Sequence, residues 1–176
     1  MTHPFRYYVR VRYQECDAQH VVFNVRYGDY IDLAVTEFIE AAMHDRDTRD
    51  GSFELQVVRQ LIEWKGPARY DDVLEIDVAV RRFGTTSFTV GFELKRPGEP
   101  VIVTAECTYV VIHKPTWTKR PLTEVERELL TAGARGQVVD HAGHFPIVRT
   151  SRSQPAVGEC LSVGEYRQRA SRRGLR

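Results

Sequence analysis

Glu15-Cys16-Asp17-Ala18-Gln19-His20-Val21-Val22-Phe23-Asn24-Val25-Arg26-Tyr27-Gly28-Asp29 carries a short polar loop straight into an apolar helical pattern. The stretch sets Asp17 just ahead of the helix start. A helix N-terminus presents unpaired N–H groups and the positive end of the peptide dipole. A carboxylate beside such donors is half of a hydrolytic site. The donors can hold an oxyanion while the carboxylate activates water or attacks directly.

The helical pattern runs from Asn24 or Arg26 to Met43. Tyr27, Tyr30, Ile31, Ala34, Val35, Phe38, Ile39, Ala41 and Ala42 spread over about half of its circumference. Arg26, Asp29, Glu37 and Glu40 gather on the other side. So wide an apolar arc predicts a helix covered by a sheet. Asp32 stands at the edge of the arc and is a candidate support residue. The polar stretch His44 to Gly51 closes the helix.

Strand patterns surround it. Residues 6–13 alternate apolar and polar, and residues 53–64 are rich in Val, Leu and Ile. Residues 73–83 set Leu74, Ile76, Val78 and Val80 against Glu75, Asp77 and Arg81. Residues 87–96 set Phe88, Val90, Phe92 and Leu94 against Thr89, Gly91, Glu93 and Lys95, and residues 101–113 are again Val-, Ile- and Thr-rich. Gly66-Pro67, Gly84-Thr85 and Pro97-Gly98 supply the turns. The order β-α-β-β-β-β implies an α+β domain, an antiparallel sheet curled around one long central helix. After Pro121, Thr123 and Glu126 stand at capping-box spacing for a short helix to Leu130. Residues 1–132 thus read as the domain. Residues 133–176 read as an Arg-rich, flexible C-terminal extension, with seven arginines against two glutamates from Arg149 onward.

The chain has 176 residues and a formal net charge of +1, which favours neither nucleic acid nor membrane as a partner. Cys16, Cys107 and Cys160 make neither zinc spacing nor a disulfide framework. No signal-peptide pattern opens the sequence and no apolar run is long enough to cross a bilayer, so a cytoplasmic setting is expected. The pair His141 and His144 lacks companions at metal spacing, and no metal is expected.

Three pieces in this order carry a resemblance: Tyr13-x-x-x-Asp17-Ala18-x-x-Val21-Val22-x-x-x-x-Tyr27, then Tyr70-Asp71-Asp72-Val73-Leu74, then Thr86-Ser87-Phe88. The chain is similar, over about residues 6–125, to the 4-hydroxybenzoyl-CoA thioesterase family of hotdog-fold acyl-CoA thioesterases, which includes the YbgC-type enzymes. The resemblance implies a single hotdog domain, hydrolysis of an acyl-CoA thioester, and no cofactor, coenzyme A being part of the substrate. It implies active sites at a dimer interface, hence a homodimer or a homotetramer of paired dimers. It makes Asp17 the nucleophile or general base, and the Asn24 backbone N–H the group that polarises the carbonyl.

Two places depart from the family pattern. His20 stands where many members have glycine, which puts a ring near the site. Gly84, Thr85 and Thr86 replace a basic run that one branch uses for coenzyme A phosphates. Arg81, Arg82, Lys119 and Arg120, at strand ends, are the candidates to substitute for it or are simply solvated. His20, Tyr27, Asp32 and Ser87 complete the expected substrate-binding set.

Each of these residues has a plainer reading. Asp17 could cap the coming helix or turn, His20 could be a pocket-wall or surface histidine, and Cys16 reads as core. Glu63 is the best second carboxylate, though it reads first as exposed-face charge. Two other functions stay open: a hydratase or dehydratase using Asp17 with His20, or His20 with Glu63, to shuttle protons, and a non-catalytic acyl-CoA binding module.

Overall fold

The computed structural model describes residues 3–43 and 53–145. Strands β1 (Phe5–Arg10), β2 (Glu54–Trp64), β3 (Val73–Phe83), β4 (Ser87–Lys95), β5 (Val101–His113), β6 (Thr118–Lys119) and β7 (Val138–Asp140) form one open sheet. Its order is β2-β5-β4-β3-β1-β7, with β6 paired to the end of β5. The helices are α1 (Arg26–Ala42) and α2 (Glu124–Ala132). The expected α+β class holds, with an open sheet and two helices among the described residues.

Alternation places the core. Leu74, Ile76 and Val78 of β3, and Phe88, Val90, Phe92 and Leu94 of β4, all point to the face that α1 covers. Val103, Ala105, Cys107, Tyr109 and Val111 of β5 share that face. From α1, Tyr27, Tyr30, Ile31, Ala34, Val35 and Phe38 enter the same core. Ala34 and Phe38 have no exposed surface at all, and trimming such a Phe to Ala typically costs ~3–5 kcal/mol. The opposite face of the sheet carries charge: Lys95 pairs with both Glu75 (3.2 Å) and Asp77 (2.6 Å).

Three local features differ from the sequence expectation. The alternation over residues 6–13 predicts one strand, but β1 ends at Arg10 and Tyr13–Glu15 coil into a 3₁₀ turn. The Glu15 carboxylate causes this by taking the Arg12 N–H at 2.7 Å, which folds the chain back on itself. Second, residues 138–140 add β7 in parallel alongside β1. A three-residue strand is too short to register as periodicity. Third, a bulge between Val80 and Arg82 lays Arg81 across Gly91. A Cβ on Gly91 would stand 2.4 Å from the Arg81 Nε, so any larger residue there displaces that side chain.

α2 forms as the capping box predicts: Thr123 Oγ1 accepts the Glu126 N–H, and the Glu126 carboxylate accepts the Thr123 N–H at 2.8 Å. Gly133 closes it in the left-handed region at φ 60°. The polar stretch His44 to Gly51 and residues 146–176 of the expected extension lie outside the described residues. Among the described residues no helix is long and apolar enough to cross a membrane.

Candidate active site

The site is built on the loop between β1 and α1, and its anchor is a residue that pattern reading passed over. Glu15 is 4% exposed. Its Oε2 accepts the Arg12 N–H at 2.7 Å and the Tyr30 hydroxyl at 2.7 Å, and its Oε1 accepts the Arg12 Nε–H at 2.8 Å. Burial pushes this carboxyl up. The Arg12 N–H, the Tyr30 hydroxyl and the Arg12 guanidinium outweigh burial and hold it below the ordinary range. Burial and the same carboxylate drive the Tyr30 hydroxyl far above its usual value. Glu15 also accepts the Phe23 N–H on its carbonyl (2.9 Å), tying the start of the loop to its end.

Asp17 lies inside this tie. Cys16 and Val22 form an antiparallel bridge, and the Asp17 N–H donates to the Val21 carbonyl at 2.9 Å. His20 N–H donates to the Asp17 carbonyl at 3.0 Å, which bends His20 into the left-handed region at φ 62°. A bulky residue there is uncommon and strained, and the loop holds it there. The Asp17 side chain is half-buried. Its Oδ1 accepts the Gln19 N–H at 2.8 Å; Oδ2 has no partner among the described residues. Asp17 therefore closes an Asx-type turn with one oxygen and leaves the other available. It does not cap α1.

α1 begins without a side-chain cap: Val25 occupies the N-cap position. Among the described residues the N–H of Asn24, just before it, has no acceptor. Uncapped donors at a helix start favour a negative charge. Ala68 clamps this region from across the fold. Its carbonyl accepts the Val22 N–H (2.8 Å), and its N–H donates to the Tyr27 hydroxyl (3.1 Å). Tyr27 is thus a buried strut between α1 and residue 68, with burial raising its hydroxyl pKa.

The remaining candidates scatter. His20 is exposed, and its ring touches neither Asp17 nor Glu63 among the described residues. Asp32 is exposed on α1, at the rim of a cleft of about 360 Å³ between α1 and β2. Ser87 opens β4, and its carbonyl accepts the Gly84 N–H at 2.7 Å. Arg120 forms a two-pronged pair with the buried Glu126 at 2.8 and 2.9 Å, so its guanidinium is occupied. Arg81 pairs with Glu93 (3.4 Å). Arg82 donates from Nε to Thr89 Oγ1 (3.1 Å), and neither it nor Lys119 makes an ion pair among the described residues. Glu63 accepts the Thr104 hydroxyl on the charged outer face. His141 bonds the Tyr7 hydroxyl (3.1 Å), and His144 stacks on Tyr8.

Residues 11–132 match the family model of the thioesterase-like superfamily. The acyl-CoA thioester hydrolase YbgC of Escherichia coli O6:H1 is 33% identical over 84 residues, 47% of this chain and 63% of the relative. Among solved structures, a gentisyl-coenzyme A thioesterase is 21% identical with a TM-score of 0.62, covering 71% of this chain and 98% of its own. A 1,4-dihydroxy-2-naphthoyl-CoA thioesterase from Synechocystis is 19% identical with a TM-score of 0.63, covering 72% and 94%. At these identities the structural likenesses show the fold.

Proposed function

The chain belongs to the thioesterase-like superfamily of hotdog-fold hydrolases acting on thioester bonds, and from that premise we propose that it hydrolyses acyl-CoA thioesters with Asp17 and the Asn24 N–H as its reacting groups. The observation that carries the proposal is a fixed, half-free carboxylate in the same loop as the unpartnered Asn24 N–H just ahead of α1. The Gln19 N–H holds Asp17 Oδ1, which leaves Oδ2 to act.

The thioester carbonyl takes its place against the Asn24 N–H and the helix dipole. As a general base, Asp17 removes a proton from water while the water oxygen bonds to the carbonyl carbon. As a nucleophile, Asp17 bonds to that carbon itself, and water then splits the resulting anhydride. On either route negative charge develops on the carbonyl oxygen, where a preorganised donor contributes about 3 kcal/mol. Collapse of that oxyanion breaks the C–S bond, before water enters on the nucleophilic route, and coenzyme A leaves as a thiolate that takes up a proton. A thiolate is a good leaving group, so no strong general acid is required.

The second half of the proposal is a homodimer or homotetramer. β2 is the long open edge of the sheet, and it exposes Val57, Val58, Leu61 and Trp64. An apolar open edge of this length invites strand pairing with a second copy. The pantetheine arm would run between protomers, with Arg82 and Lys119 as the cations left for the phosphates. Proton shuttling of the hydratase kind finds no support in contacts, since the His20 ring meets no carboxylate among the described residues.

Thiol release from a panel of acyl-CoAs, for wild type and Asp17→Asn, tests the proposal. Turnover by wild type with a loss of about 100-fold or more in the variant is expected. A wild type inert toward short, long and aromatic acyl groups would sink hydrolysis and bring the binding-module reading forward.

A further inference from the structure

The turn between β5 and β6 holds out an aromatic ring at a cost to the backbone. Trp117 is 65% exposed, and its φ of 53° lies in the left-handed region. Glycine takes that region freely, whereas a bulky residue there is strained. The turn around it is firmly built. The His113 carbonyl accepts the Thr116 N–H at 3.2 Å and the Trp117 N–H at 2.9 Å. Thr116 Oγ1 bonds both His113 Nδ1 (2.9 Å) and Thr118 Oγ1 (2.8 Å). Strained residues held by fixed surroundings cluster at ligand clamps. Cations flank the ring. Lys119 is exposed in β6 and makes no ion pair among the described residues. Lys114, on the other side of the turn, pairs with Glu54 at the start of β2 (3.2 Å), which sets the turn beside the open edge of the sheet.

We propose that Trp117 is the stacking platform for the adenine of coenzyme A, with Lys119 beside it for the phosphates, and that each protomer holds the nucleotide of a thioester lying at its partner's Asp17. The inference rests on the acyl-CoA and homodimer readings. Antiparallel pairing of two β2 edges sets the Glu54 end of one protomer against the Trp64 end of its partner. From Trp64 the chain leads through Gly66 to Ala68, whose carbonyl accepts the Val22 N–H in the Asp17 loop. The turn of one protomer therefore points toward the loop of the other, with the pantetheine arm to span the gap. Adenine offers a flat π face that an exposed indole matches, and the phosphates next to it call for a free cation.

Calorimetry with adenosine 3′,5′-bisphosphate on the full chain tests this without any turnover. Wild type and Trp117→Phe are expected to bind it, and Trp117→Ala about tenfold more weakly, the worth of one stacked base. Lys119→Gln is expected to weaken it severalfold. Among thioesters, the kcat/KM advantage of octanoyl-CoA over octanoyl-pantetheine, which lacks the nucleotide, is expected to fall about tenfold in Trp117→Ala. A folding defect lowers both rates together and cannot by itself move that ratio. No nucleotide binding by wild type, or equal Kd values in wild type and Trp117→Ala, overturns the subsite while leaving hydrolysis intact. Retention on anionic vesicles without nucleotide binding overturns it in favour of a lipid surface. If the bisphosphate binds through Trp117 but no acyl-CoA is turned over, the subsite stands and hydrolysis falls.

Discussion

The β1–α1 loop and strand β2 are built on opposite plans. The loop has little regular structure, yet its own Glu15 carboxylate, the Tyr30 hydroxyl and the Ala68 carbonyl tie it down. β2 is eleven residues of strand interrupted by one register shift between Val57 and Arg59, yet most of it is exposed and one of its edges is open. Regular secondary structure is therefore no guide to fixity here. Reaction geometry needs donors and carboxylate held to a fraction of an ångström, and buried charge-assisted hydrogen bonds do that for an irregular loop. A surface proposed to pair with a second copy needs the reverse.

The largest break in this contrast comes from Glu15→Ala. It leaves the Tyr30 hydroxyl and the Arg12 N–H without their acceptor, and we expect a loss of about 3 kcal/mol by urea unfolding. Because the loop carries Asp17, thiol release should fall as well under conditions where the variant is folded. If activity survives, the loop does not owe its geometry to Glu15. Acid sharpens the same point. A carboxyl held below its ordinary 4.5 adds stability that is complete above that pH and is lost as pH falls through the lower folded-state value. Wild type should lose stability on acidification below about 4.5, and Glu15→Gln should show a shallower decline. Equal slopes would mean that Glu15 titrates alike in both states. The smallest effect on the fold belongs to Val58→Lys on β2, which should change unfolding by no more than about 0.5 kcal/mol. The same change should weaken a homodimer tenfold or more in sedimentation. A wild type that sediments as a monomer would leave the exposure of β2 unexplained.

How much of this was legible in the sequence divides along the same line. Strands β3 to β5 and helix α1 follow from alternation and helical periodicity, because burial on one face imposes a period on the chain. The capping box at Thr123 and Glu126 was equally visible, since its partners are three residues apart. Glu15 was not. Its acceptor role depends on Tyr30 coming round on α1, and no spacing rule links an acid to a tyrosine fifteen residues on. Tyr27 shows the converse: the motif points it at substrate, and the fold adds that its hydroxyl takes the Ala68 N–H. Arg120, a candidate for the phosphates by its place at a strand end, also pairs with Glu126. Charge at a strand end says that a cation is present, and only the fold says what it faces. β7 escaped because three residues carry no period.

That short strand has a consequence for assembly. β7 covers the β1 side of the sheet, and beyond it the chain turns, with the Asp140 carboxylate taking the Ala142 and Phe145 N–H groups. The sheet is left with one long free border, at β2, and a stub at the other. A sheet with two equal borders can add copies without limit and grow into a fibre. One with a single usable border is spent once two copies have met across a two-fold axis.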